Sequence, residues 1–170
     1  MATDIDPNAP FRQEGARYMR EQNRRMHQHL AGTLAGEDPE ELHDMRVASR
    51  RLRAAMVVFE SCFPKGAYLR WRRRVSSITG ALGGVRDMDV QIAAIERRRE
   101  GLPESQQADV DAWLQGLKSR RDGARNAMIA ALKRWERRRR GDALDLLLVR
   151  IGREDPLCCL LERLEGARHG

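Results

Sequence analysis

The feature that most constrains the fold of this chain is the spacing of its apolar residues, which recur at intervals of three and four over most of its 170 positions. Such spacing puts apolar side chains on one face of an α-helix, whereas a half-buried strand requires strict alternation. Few stretches of the chain alternate in that way. The sequence therefore predicts an all-α fold, an antiparallel bundle of long helical hairpins joined by short connections.

Helix boundaries follow from the turn residues between the apolar stripes. The second stripe begins with Asp38 as the capping residue, Pro39 at the first helical position and Glu41 completing a capping box. Gly83 and Gly84 lie inside the third stripe, where each costs about 1 kcal/mol relative to alanine, so we predict a kink or a close backbone approach there. The predicted helices cover residues 11–34, 38–59, 67–99, 104–137 and 142–151, with Gly141 as a stop.

The two ends of the chain differ in character from the predicted bundle over residues 11–151. Residues 1–10 are polar, lack the apolar core of a signal peptide and are predicted to be a disordered leader. Residues 152–170 are a predicted C-terminal extension, with at most a last turn or two of helix in 156–164. No run of about 18 apolar residues is present to span a membrane, and the three cysteines have no metal-ligand spacing. We expect a cytoplasmic protein that does not enter a membrane.

The chain is strongly basic, with a net charge of +7 and a pI of about 10.1. Only three of its 32 basic residues are lysine, so nearly all of this charge is carried by arginine, whose planar guanidinium donates two parallel hydrogen bonds to a phosphate. An anionic partner would account for this composition. A GC-rich genome, which raises arginine content everywhere, is an equally good explanation. The positions of the arginines must therefore decide.

Four basic residues of the second predicted helix share one side of it. Because successive helix positions rotate by about 100°, His43, Arg46, Arg50 and Arg53 fall within about 80° of one another, beside the apolar stripe. Arg51 points elsewhere. Like charges at such spacing repel, and a multivalent anion would relieve the repulsion. A solvated charged face, or ion pairs within the protein, would also explain the pattern.

Two motifs in this chain resemble the signatures of a known family. Residues 40–53, which read EELHDMRVASRRLR, closely resemble the signature helix of the CHAD family, the conserved histidine α-helical domain. Residues 82–90, LGGVRDMDV, resemble its second signature, a run of the form L-G-x-x-R-D-x-D-V. The motifs stand in the family's order. The resemblance covers residues 11–151 and implies a helical bundle whose basic groove binds inorganic polyphosphate.

The resemblance also indicates which residues contact the ligand. His43, Arg46, Arg50 and Arg53 match the signature helix, and Arg86 matches the second motif. Asp87 and Asp89 match it as supporting residues. We expect Asp87 to orient Arg86 or another arginine, and Asp89 to pair with a neighbouring helix. Arg72 precedes Arg86 by fourteen residues and projects from nearly the same helix face, with Arg73 beside it. The predicted polyphosphate site is therefore His43, Arg46, Arg50, Arg53, Arg72, Arg73 and Arg86.

The chain departs from the family in having one histidine-bearing helix where members usually carry two related four-helix halves. A natural half-length protein and a fragment both fit this departure. Two copies around a two-fold axis would rebuild the full arrangement, so we predict a homodimer. The fifth predicted helix, over 142–151, and the leucines of 157–164 are the candidate apolar contacts between the copies, although the 156–164 segment is as well suited to capping its own bundle.

Catalysis is not expected, because the sequence holds no nucleotide fingerprint, no phosphate loop and no metal-ligand set, and we predict neither a cofactor nor a metal. His43 is either a donor to phosphate or a neutral side chain bonded within its helix. The alternative to polyphosphate is RNA or DNA, with Trp71, Trp113 and Trp135 stacking on bases. At helical spacing, however, tryptophans are more often core or bundle-edge residues.

Overall fold

The computed structural model describes residues 9–137 and 140–153. Within these ranges the chain consists of six α-helices and one short 3₁₀ turn, Glu60–Cys62, with no strand, which confirms the all-α prediction. The helices are α1 Ala9–Gln28, α2 Leu30–Ala35, α3 Pro39–Val58, α4 Lys65–Arg99, α5 Glu104–Arg137 and α6 Arg140–Arg153.

The helices pack as an antiparallel bundle. In the α4–α5 hairpin, Arg99 contacts Asp111 near the connection, while Asp89, ten positions earlier, contacts Arg121, ten positions later. The two helices therefore run in opposite directions in close register. α1 packs against both α3 and α6, and α3 packs against α4, so that α3 lies between α1 and α4.

Two apolar clusters hold these helices together. The larger one joins α1, α3, α4, the second half of α5 and α6, and its least exposed members include Met19, Leu52, Leu82, Trp135 and Leu148. The smaller one consists of buried Ile92, Leu114 and Leu117, between α4 and α5 alone. Because α4 has 35 residues, about 52 Å at 1.5 Å each, and α3 only 20, the end of the α4–α5 hairpin extends beyond α3.

The first predicted helix is two helices. The helix is interrupted at His29, so the prediction of one helix over 11–34 is wrong, although His29 N still donates to Arg25 O and Thr33 N donates to His29 O. The ring of His29 lies with Nδ1 3.0 Å from a carboxylate oxygen of Glu41. A contact with α3 thus occurs at the break. The apolar stripe continues across residue 29 and therefore did not predict the break.

The start of α3 is only partly as predicted. The Asp38 side chain accepts a hydrogen bond of 2.8 Å from Glu40 N and caps the helix, with Pro39 in the first turn. The Glu41 carboxylate does not complete a capping box, because it contacts His29 instead. The cap was local and therefore predictable, whereas the partner of Glu41 comes from another helix.

α4 continues through both of its central glycines. Gly83 and Gly84 lie within the uninterrupted helix Lys65–Arg99, and the group that approaches Gly83 is a side chain of α3 rather than a backbone. Gly141 lies in the first turn of α6 rather than ending α5, because α6 already begins at Arg140, so that predicted stop is wrong.

Several predictions concern residues outside the described ranges. These are most of the leader over 1–10, the short helix in 156–164 and the leucines of 157–164 proposed as dimer contacts. The other proposed contact, helix 142–151, lies within α6, where Leu144, Leu148 and Ile151 are buried in the larger apolar cluster. α1 begins at Ala9, two positions before the predicted start of the bundle. None of the helices in 9–137 and 140–153 combines the length and hydropathy that crossing a bilayer requires.

Candidate anion-binding site

Three of the predicted arginines line one groove between α3 and α4, which we call the α3–α4 groove. Its volume is about 500 Å³, and its lining consists of Arg50, Arg53, Ala54, Val57, Arg72 and Ser76. No acidic side chain belongs to this lining. The groove therefore presents three positive charges to a ligand without a carboxylate among the groups that form its walls.

The local sequence of α3 explains why its arginines border this groove. The buried residues of the helix are Leu42, Met45, Ala48, Ser49, Leu52, Ala55 and Met56. The apolar spacing predicts a stripe of Leu42, Met45, Leu52, Met56 and Phe59 with Ser49 in its gap, so Ala48 and Ala55 are additional, and half-buried Phe59 lies after the end of the helix. Ser49 is fully buried, and its hydroxyl donates to the Arg46 carbonyl oxygen at 2.9 Å. The basic residues beside this buried face lie along the contact between α3 and α4.

The arginines of the groove have no carboxylate partner in the part of the chain that the structure describes. Among residues 9–137 and 140–153, Arg50, Arg53 and Arg72 form no ion pair with a carboxylate. The Arg72 guanidinium carbon lies 5.8 Å from the centre of the Tyr68 ring, a cation–π contact that holds it on the groove side of α4. Burial raises the pKa of the Tyr68 hydroxyl above its ordinary value.

Arg46 lies next along α3 and has a different environment. Its Nη2 donates to Asp87 Oδ1 at 3.0 Å, and only 22% of its side chain is exposed. Its Nε lies 3.7 Å from the position that a Cβ on Gly83 would occupy. Asp87 thus contacts an arginine, as predicted, and that arginine is Arg46 of the signature helix.

Arg86 does not line the α3–α4 groove. Its Nη2 lies 3.8 Å from Glu40 Oε1, and it faces a second cavity of about 570 Å³ between the start of α3, the second half of α4 and α5. Arg72 and Arg86 are fourteen positions apart, so their side chains leave α4 about 40° apart around the helix and about 21 Å apart along its axis. The two arginines therefore line different cavities.

The second cavity contains as many acids as bases. Its charged lining residues are Asp38, Asp89, Glu96, Asp122, Arg86, Lys118, Arg121 and Arg125. Arg121 Nε donates to Asp89 Oδ1 at 2.7 Å, a contact that raises the pKa of Arg121, and Lys118 lies 2.7 Å from Glu96. Asp89 therefore pairs with a neighbouring helix, as predicted, and this cavity offers little net charge to an anion.

The cations of α5 were missed at the level of sequence. Lys118, Arg121 and Arg125 recur at intervals of three and four, the same pattern that identified the basic residues of α3, so a signal was present. Arg125 Nη2 donates to the carbonyl oxygens of Leu34 at 3.3 Å and Ala35 at 2.9 Å, and so caps the end of α2. Two of the three pair with α4 carboxylates and the third caps α2, which makes them structural cations.

Two further predicted residues lie outside the groove lining. His43 is half-buried on α3, one helical turn before Arg46, and Arg73 is exposed on α4 beside Arg72. The structure thus brings Arg50, Arg53 and Arg72 together, with Arg46 next along α3. It does not bring His43, Arg73 or Arg86 into the same groove.

Most of the tryptophan surface is unavailable for stacking on a base. Trp71 and Trp135 are buried and pack edge to face with ring centres 6.2 Å apart, and the Arg74 guanidinium covers Trp71 at 4.8 Å. Trp113 on α5 is 59% exposed. Of the three candidates for base stacking, Trp113 alone presents a large exposed surface.

A family model described as the CHAD domain matches residues 17–167, nearly the whole chain. The matched range contains both sequence motifs and all of the arginines described above, and it runs past residue 151. No curated protein and no solved structure matches the chain at a significant level.

Proposed function

This chain belongs to the CHAD domain family, and from that premise we propose that it binds inorganic polyphosphate in the α3–α4 groove. The family is associated with polyphosphate binding in general. The observation that carries the proposal is the lining of the groove, in which Arg50, Arg53 and Arg72 occur together with no acidic residue. Each guanidinium donates up to two parallel hydrogen bonds to a phosphate, so a chain of phosphates matches a row of such groups.

The shape of the site favours a linear polyanion over a single phosphate. Arg46, Arg50 and Arg53 span seven positions of α3, about 10 Å along the helix axis, with Arg72 on the opposite wall. A polymer with a negative charge on every unit contacts several of these residues at once. A single phosphate contacts one or two of them.

We also propose that the site binds without catalysis. The lining of the groove contains arginine, serine and apolar residues, and it includes no carboxylate, histidine or cysteine to act as a general base. The groove is therefore suited to holding a polyanion by charge and hydrogen bonding. Incubation with long-chain polyphosphate should leave the chain-length distribution unchanged on a gel, and a shortening that depends on intact protein would contradict this part of the proposal.

Competition between two polyanions tests the proposed ligand. The protein is titrated with long-chain polyphosphate and with single-stranded RNA, at matched phosphate concentration and salt. We expect tighter binding of polyphosphate, and no loss of that binding in Trp113→Ala, because polyphosphate has no bases to stack. Preference for RNA, lost in Trp113→Ala, would favour the nucleic-acid alternative. No binding of polyphosphate at about 50 mM salt would refute the proposal.

A further inference from the structure

Asp87 forms an ion pair with Arg46, which lies at one end of the row of arginines on α3. Arg50 and Arg53 line a groove without acids, whereas Arg46, one turn earlier on the same helix, donates to Asp87 Oδ1 at 3.0 Å. The Asp87 side chain is 63% exposed. A polyanion that extends along α3 from Arg53 towards Arg46 therefore meets a carboxylate of its own charge.

We propose that Asp87 competes with the polyphosphate chain for Arg46 and limits how strongly long chains are bound, an inference that rests on the proposed function. Without ligand, Asp87 holds the Arg46 guanidinium. When a long chain extends from Arg53 and Arg50, one of its phosphates replaces the Asp87 carboxylate on Arg46. Asp87 then remains beside the polyphosphate chain as an unpaired negative charge and lowers the affinity of the protein for that chain.

The geometry of the Arg46–Asp87 pair allows a phosphate to replace the Asp87 carboxylate on Arg46. Arg46 uses one N–H group, on Nη2, for Asp87, so the guanidinium keeps further donors. With its carboxylate more than half exposed, the pair has the weak net stability of surface ion pairs. A phosphate with several neighbouring phosphates already bound competes effectively with such a partner.

A comparison of long chains with pyrophosphate distinguishes competition by Asp87 from a general effect of net charge on affinity. The lining of the groove around Arg50, Arg53 and Arg72 does not include Asp87, so pyrophosphate bound there does not compete with it. A long chain reaches Arg46 as well. Removal of the Asp87 charge should therefore strengthen binding of long chains more than binding of pyrophosphate.

The test compares Asp87→Asn and Asp87→Ala with Asp109→Asn, which removes one charge elsewhere. Asp109 is exposed at the start of α5, near the Arg99–Asp111 contact, and Asp87 lies twelve residues, about 18 Å, from Arg99 along α4. Affinities for long-chain polyphosphate and pyrophosphate are measured by calorimetry, and melting curves verify the fold of each variant. Asp87→Ala covers the case in which asparagine still accepts from Arg46.

We expect both Asp87 variants to bind long chains about fivefold more tightly, the factor that ~1 kcal/mol represents, while Asp109→Asn stays within about twofold of the parent. Pyrophosphate affinity should change less than that of long chains. In the Arg46→Ala background, Asp87→Asn should give a smaller gain, because the competition for Arg46 is gone and only the repulsion between Asp87 and the chain remains to be removed.

Equal gains from Asp87→Asn and Asp109→Asn, or weaker binding by both Asp87 variants, would overturn the inference and leave the proposed function intact. The second of these results would show that Asp87 positions Arg46 for the ligand. A parent protein that does not bind polyphosphate at low salt would overturn the proposed function, and this inference with it.

Discussion

Arg50 and Arg51 are neighbours that carry the same charge, but they lie on different sides of α3. Arg50 lines the α3–α4 groove, and Arg51 is exposed outside it. Arg46 differs again, because Asp87 contacts it. Position relative to the groove, and the presence of a carboxylate partner, thus distinguish arginines that composition alone treats as equal.

The first prediction follows from this distinction. Arg50→Ala, Arg53→Ala and Arg72→Ala should each weaken polyphosphate binding by about 1–3 kcal/mol, the range for hydrogen bonds to charged groups. Arg51→Ala removes the same charge and should have little effect. The free energy of unfolding without ligand should stay level or rise in the two α3 groove variants, because repulsion along α3 decreases. Calorimetry and urea unfolding measure the two quantities. Equal losses of affinity in all four variants would mean that net charge alone matters.

Single residues also show where prediction from sequence ends. The position of Arg50 and Arg53 beside the core was predictable, because the apolar stripe of α3 fixes the orientation of the whole helix. The Arg46–Asp87 contact joins residues 41 positions apart and depends on the register between α3 and α4. No periodicity within one helix specifies that register, and the same holds for Arg121 with Asp89.

At the scale of elements, the long helices were predictable and their interruptions were not. Caps and stripes are local, so α3, α4 and α5 have nearly the predicted bounds. The break at His29 coincides with a contact to Glu41 of α3, which the sequence near His29 does not contain. The central glycines of α4 predicted a kink or a close backbone approach, but the packed helix continues through both.

The second prediction contrasts two glycines that differ in conformation. A Cβ on Gly84 would meet no atom within 4 Å, so Gly84→Ala should raise the free energy of unfolding by about 1 kcal/mol through helix propensity. Gly36 has a φ of 74° and a Cβ there would collide with the Arg125 guanidinium that caps α2. Gly36→Ala should therefore lower the free energy of unfolding by about 1–2 kcal/mol or more. Urea unfolding measures both, and changes of the same sign would contradict the described packing.

At the scale of the whole molecule, the net charge of +7 acts together with the groove. The third prediction is that the affinity for polyphosphate falls steeply with salt, by analogy with nucleic acids, because each contact releases bound counterions. The slope of log affinity against log salt should become shallower in an Arg50→Ala/Arg53→Ala double variant and remain nearly unchanged in Arg51→Ala. Titrations between about 50 and 200 mM salt determine the slopes. An affinity that does not depend on salt would exclude a binding mode based on arginine–phosphate contacts.

The last prediction concerns assembly, which we propose to be a homodimer. The α3–α4 groove has walls from α3 and α4 only, so its arginines remain available to a ligand shared with a second copy. Two such grooves facing each other repel, and a polyanion between them supplies the opposite charge, so long-chain polyphosphate should strengthen the dimer. Light scattering should show a higher mass with long-chain polyphosphate than without it, and the gain should be absent in Arg50→Ala/Arg53→Ala. A monomer under both conditions that still binds polyphosphate at full strength would show that one bundle is sufficient.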